Sequence, residues 1–160
     1  MTLPDGFFVL DLLINGYLCG LIWFVQIVHY PLLAEVDPAS FAHYHERHSA
    51  LTTRVVALPM ILDLGLSGLL IWRHPTGFDA PWTWLGFALA LATWACTFGL
   101  SVPLHRRLGA GHERATLARL VATNWPRTVA WTTHLALLGW GLTRLLVHLG
   151  PNKFAIYCPG

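Results

Sequence analysis

The chain has 160 residues, 55% hydrophobic and only 11% charged, with a net charge of +2. A soluble domain carries about 25% charged residues, so this chain cannot coat a water-facing surface of its size, and so weak a positive charge does not suggest a nucleic-acid partner. A lipid bilayer removes the need for that coat, and the eight tryptophans suit its boundary with water.

The N-terminus carries Asp5 and no basic stretch, so it reads as the start of a retained helix rather than a cleaved leader. The first apolar run extends from Phe7 to Tyr30 and is closed by Pro31. Asp37-Pro38 then supplies an N-cap followed by proline at the first helical position. From there a second helix is expected over 38–72, entering the bilayer after an interfacial stretch and kinked at Pro59. Arg73 to Pro81 is a short turn, and a third run covers 82–104. His112 to Ala122 reads as a short amphipathic helix with Leu117, Leu120 and Val121 on its apolar side. The fourth run, 126–149, stops at Gly150-Pro151, and 151–160 is a tail without pattern.

Each run is near the ~20 residues that cross a hydrocarbon core of ~30 Å, where the backbone must bond to itself. The expected fold is therefore all-α: one domain over 1–150, an integral membrane antiparallel four-helix bundle. It has an interfacial extension before the second helix and an amphipathic segment before the fourth.

Arg47, Arg106, Arg107, Arg114 and Arg119 lie in the two longer connections, with Arg54 and Arg127 just inside the next helices. The opposite face has Arg73, Arg144 and Lys153. The positive-inside rule places the arginine-rich connections in the cytoplasm, with both termini outside, as in a bacterial inner membrane. Cys19, Cys96 and Cys158 form no CxxC pair, which argues against a disulfide framework or thiolate metal site.

Polar residues at helical spacing mark the faces turned away from lipid. They are Asn15, Cys19, Gln26 and His29 on the first helix, and His45, His48, Thr52 and Asp63 on the second. Trp94, Thr97, Ser101 and His105 follow on the third, and Asn124, Arg127, Trp131 and His134 on the fourth. Antiparallel threading would bring His29, His45, His48 and His105 to one membrane level. Inward side chains on facing helices build metal sites in this way, and imidazole ligates copper, iron and zinc. These four histidines are the candidate ligands of a transition metal or a haem, with Glu35, His43 and Glu46 as additional or orienting groups. Histidines that only reach water or headgroups, with no cofactor bound, are the alternative. Gln26, Asn124, Arg127, Trp131 and His134 are candidate substrate contacts. Arg127 could meet an anionic group, pair with Glu46, or snorkel to the headgroups.

Asn15 and Asp63 should reach similar depth, Asp63 roughly 22 Å beyond His48 at 1.5 Å per residue, and form a deep polar pair that is either structural or functional. Gly16 and Gly20 have a GxxxG spacing that could allow close helix packing.

Val102-Pro103-Leu104-His105, followed by Asn124-Trp125-Pro126-Arg127-Thr128, resembles the anthrone-oxygenase-like family of four-helix membrane proteins. The resemblance implies the same helix order and a membrane pocket near Asn124 and Arg127 that hosts oxidative chemistry. The family usually has Asn where this chain has His105, and the His43-Tyr44-His45-Glu46-Arg47-His48 segment is an addition; both favour metal ligation. Three functions are compatible with this pattern. One is a membrane oxidoreductase or oxygenase acting on a lipophilic molecule. The others are a non-catalytic subunit of a larger respiratory or photosynthetic membrane complex, and a small metal or proton transporter working as a homo-oligomer.

Overall fold

The computed structural model describes residues 1–150. The expected tail, with Lys153 and Cys158, lies outside the described residues. Four long helical segments account for the fold: α1 (Leu3–Leu33), α2 (Pro38–Leu70), α3 (Ala80–Leu108) and α4 (Arg114–Leu149). The first three are long and apolar enough to cross a membrane, a property of integral membrane proteins. The fourth carries more polar residues, and Asn124, Arg127, Thr128 and His134 are among those it buries. Outward-facing positions such as Leu13, Leu58 and Ile61 are apolar and exposed, as a lipid solvent requires.

The helix starts follow local chemistry. The Thr2 N–H donates to Asp5 Oδ2 (2.6 Å) and the Asp5 N–H to Thr2 Oγ1 (3.4 Å), a reciprocal cap that satisfies two otherwise free donors. Asp5 Oδ1 also accepts from the Thr76 N–H at 2.8 Å, tying the α2–α3 connection to the start of α1. At α2 the Asp37 carboxylate accepts from the Ala39 N–H at 3.2 Å, with Pro38 opening the helix as its sequence indicates.

One expected boundary is corrected. The amphipathic segment 112–122 is not a separate helix: its residues from Arg114 onward form the first turns of α4, and Pro126 lies inside that helix. Leu117 and Leu120 share a buried cluster with Tyr30, Leu33, Phe41 and Leu108. That packing holds the helix through a proline that removes one backbone hydrogen bond.

Two helices change pitch at matching places. α1 contains a π-helical turn at Val25–His29, and α3 one at Thr97–Ser101. Each precedes a proline, Pro31 and Pro103, whose ring opposes the carbonyl four residues earlier. A wider turn relieves that clash, and π-turns of this kind recur at functional sites. The extra residue also rotates the side chains beyond it. In α1 it is Tyr30, at 5% exposure, that turns fully inward, while His29 stays half-buried.

α1 packs against α2 and α4, and α3 packs against the same two. Along the helices, apolar and polar levels alternate. Phe8, Leu70, Phe78, Leu138 and Leu145 fill one end. Leu18, Cys19, Ile22, Met60 and Trp131 fill the middle, and the cluster around Phe41 and Leu120 closes the other end. Polar side chains occupy the two intervals. The close approach at Gly141 needs glycine, because a Cβ there would lie 2.7 Å from Phe8 and 2.8 Å from Phe78. The Gly16/Gly20 spacing has no such role: a Cβ at Gly16 makes ordinary contact at 3.8 Å, and one at Gly20 meets nothing within 4 Å.

Candidate functional site

The site sits in the interval between the middle cluster and the Phe41 cluster, beside both π-turns. Four imidazoles gather there as two bonded pairs. His29 Nε2 lies 2.9 Å from His48 Nδ1, and His45 Nε2 lies 3.0 Å from His105 Nδ1. The pairs are neighbours, with the His48 ring 6.1 Å from that of His105 and 6.3 Å from that of His45. Each N···N contact needs one N–H and one lone pair, which neutral imidazoles supply. Each pair also meets a hydroxyl, on the far nitrogen of His105 and on the same His48 nitrogen that faces His29. Tyr30 Oη is 3.1 Å from His105 Nε2, and Thr52 Oγ1 is 3.1 Å from His48 Nδ1. Phe41 stacks on His45 at 5.7 Å and Phe24 on His29 at 6.4 Å, fixing the ring planes.

Two nitrogens held by one ion at about 2.0–2.1 Å stand roughly 2.9–3.4 Å apart for bond angles near 90–109°. Both pairs fall at the short end of that range. Among the described residues, however, no three His, Cys, Asp or Glu side chains converge as a ready ligand set. The arrangement fits two neighbouring ligands on an ion rather than a closed four-nitrogen cage. Glu35, His43 and Glu46 are exposed, and none hydrogen-bonds an imidazole. The groups that orient the rings are Tyr30 and Thr52. Thr52 lies on the expected α2 stripe; the polarity pattern does not pick out Tyr30, because on a uniform helical period His29 and Tyr30 flank the inward face about equally and the imidazole reads as the inward group, with Pro31 the signal of a change in pitch.

The expected substrate contacts divide. Gln26 Oε1 accepts from Asn124 Nδ2 at 2.8 Å, and Gln26 Nε2 donates to the Val121 carbonyl at 3.2 Å. Asn124 Oδ1 in turn accepts from Arg127 Nε at 3.1 Å and Nη2 at 2.6 Å. Arg127 Nη1 donates to Thr97 Oγ1 at 3.2 Å, and the guanidinium carbon lies 6.0 Å from the centroid of the Trp131 ring. Gln26 and Asn124 therefore brace Arg127, which is 8% exposed and points inward rather than out to the headgroups. Next to it lies a cavity of about 720 Å³. Leu18, Ile22, Val25, Val56 and Met60 make its apolar wall, and Tyr30, His45, His48, Ser101, His105 and Arg127 its polar end. Its size and mostly apolar lining are those of a small-molecule site.

His134 belongs elsewhere. It joins the expected deep pair in the other polar interval: Asn15 Nδ2 donates to Asp63 Oδ1 at 3.0 Å and to His134 Nδ1 at 2.9 Å. A turn away, Ser67 Oγ donates to Asp11 Oδ2 at 3.1 Å. Asp11 is absent from the expected polar stripe although it lies one turn before Asn15 on the same face, which was the signal available for it. Yet it is fully buried, like Asn15, and Asp63 and His134 are each 1% exposed.

Comparison with protein-family models, curated proteins and solved structures finds no match to this chain.

Proposed function

We propose that the chain is an antiparallel four-helix bundle of the bacterial inner membrane that binds a lipophilic molecule in the cavity and acts on it as an oxidoreductase or oxygenase. Its arginine-rich connections are cytoplasmic and both termini are outside. One observation carries this reading: a mostly apolar cavity receives a polar group from every long helix, Tyr30 from α1, His48 from α2, His105 from α3 and Arg127 from α4.

The imidazole pairs, His29 with His48 and His45 with His105, have the spacing of neighbouring ligands on copper, iron or zinc. A bound ion of this kind would supply electron transfer or oxygen activation. The protein's own groups hold and pass protons. His105 meets the Tyr30 hydroxyl through Nε2, a contact that stays in place when Nδ1 is a ligand; without an ion, Nδ1 faces His45 Nε2 and continues the path to the second imidazole. The likeness of Asn124 and Arg127 to the anthrone-oxygenase-like motif is part of the same proposal, and their direct bond at the cavity edge supports it.

Metal analysis of protein purified from membranes tests the reading. Bound transition metal in the wild type, lost in both His48→Ala and His105→Ala, is the expected result. A metal-free preparation that still converts a lipophilic substrate would remove the metal and keep the pocket. Absence of both metal and ligand would end the proposal.

A further inference from the structure

A buried guanidinium is costly unless an opposite charge or a full set of acceptors meets it. Arg127 has neither in full. Among the described residues the one pair of an acid with a basic side chain is Asp63 with His134, at 3.7 Å in the other polar interval. Glu46, the acid on the cavity wall, is exposed and makes no pair with Arg127. A guanidinium offers five N–H groups. Three are engaged by Asn124 Oδ1 and Thr97 Oγ1. The rest are left for the Tyr30 hydroxyl beside it and for the cavity that Arg127 lines.

A second, independent feature points the same way. Ser101 lies one turn beyond Thr97, at the end of the π-turn, and lines the same cavity. It is 2% exposed, and its hydroxyl has no hydrogen-bond partner among the described residues. Ser49, across the cavity on α2, also has an unpartnered Oγ. The polar end of the cavity therefore presents a braced cation and spare hydroxyl donors. Its one carboxylate, Glu46, is exposed and unpaired with Arg127. Away from that end, Leu18, Ile22, Val25, Val56 and Met60 form an aliphatic wall.

We infer that the cavity takes an amphiphile with a single oxyanion head, carboxylate or phosphate, seated on Arg127 with Ser101 donating to it, and an apolar body along Leu18, Ile22, Val56 and Met60. This rests on reading the cavity as a ligand pocket and names the class of ligand it holds. The head supplies the negative charge that Arg127 lacks in the protein. Bracing by Gln26 and Asn124 holds the guanidinium where it lines the cavity. The imidazoles of His45, His48 and His105 then line the same cavity as the head group.

The test uses the full chain in lipid nanodiscs with radiolabelled palmitate, palmitoyl lysophosphatidate and, as neutral probe, methyl palmitate. Wild-type protein is expected to bind at least one acidic probe more tightly than the ester. Arg127→Gln should weaken acid binding roughly 10- to 100-fold, the loss of a hydrogen bond to a charged group, and leave ester binding unchanged. Ser101→Ala should weaken it by a smaller factor. Palmitate alone or lysophosphatidate alone identifies the head as carboxylate or phosphate. Should Arg127→Gln fail to fold, the comparison of acid with ester on the wild type and on Ser101→Ala still decides. Equal affinity for acid and ester, with both blocked by the cavity-filling Val56→Trp, overturns this inference and leaves the pocket standing. Binding of no probe, or binding that Val56→Trp does not alter, overturns both.

Discussion

His45 Nε2 and His105 Nδ1 lie 3.0 Å apart although sixty positions separate them in the chain. The contact joins α2 to α3 at the level of the α3 π-turn, and the far side of His105 meets the Tyr30 hydroxyl of α1 at 3.1 Å. Three helices are thus linked through one imidazole.

That link makes Tyr30 an orienting group. Tyr30→Phe removes only the hydroxyl and keeps the ring in its buried cluster. Loss of a partner that orients a ligand typically costs 10- to 100-fold in metal affinity. Metal titration of the purified variant should show a drop of about that size, with thermal stability changed by about 1 kcal/mol or less. Unaltered metal affinity would mean that His105 needs no help from Tyr30.

Asn15 serves two acceptors on different helices, Asp63 on α2 and His134 on α4. Asn15→Leu strands both in an apolar surround, at about 1–3 kcal/mol. Thermal unfolding in detergent should show a clear fall in Tm. The control Leu13→Ala, at an exposed outward position, should change it little. Equal Tm values for wild type and Asn15→Leu would show that the pair is already satisfied by water.

Gly141 has no room for a methyl group beside Phe8 and Phe78. Gly141→Ala should destabilise by about 1–3 kcal/mol through overpacking, and Phe8→Leu in the same chain should recover part of it. Gly20→Ala, where nothing lies within 4 Å, should be neutral or slightly stabilising. The same unfolding assay reads all three; a tolerant Gly141→Ala would mean that the ring stack of Phe8 and Phe78, 5.4 Å between centroids, yields easily.

The proposed orientation is checked by labelling. With Cys19, Cys96 and Cys158 replaced, a membrane-impermeant maleimide on intact cells should modify His74→Cys in the α2–α3 connection. It should modify Ala110→Cys in the α3–α4 connection only after lysis. The opposite pattern would invert the topology.

Much of the architecture was legible in the chain itself. Composition and four apolar runs define long helices, because a backbone surrounded by hydrocarbon has no other partner than itself. Asp37-Pro38 marked the start of α2, and the spacing of Asn15, Gln26, Asp63, Asn124 and Arg127 marked buried faces, since a polar group toward lipid is costly. The grouping of His29, His45, His48 and His105 comes from alternating helix direction. Less legible was the continuity of α4 through Pro126. There the local rule that proline opens a helix lost to packing of Leu117 and Leu120, residues whose partners lie far away in the chain.

The sequence by itself determined which side chains avoid lipid, because that depends on helical period and polarity alone. Only the tertiary structure decided their bonds. It paired the four histidines, put Tyr30 rather than a carboxylate behind His105, and moved His134 into the deep cluster. It also left Arg127 buried without an acid. These outcomes depend on distances of a few ångströms between helices and on two π-turns that rotate the side chains beyond them. A periodic reading assumes constant pitch and separate helices, so it carries neither quantity.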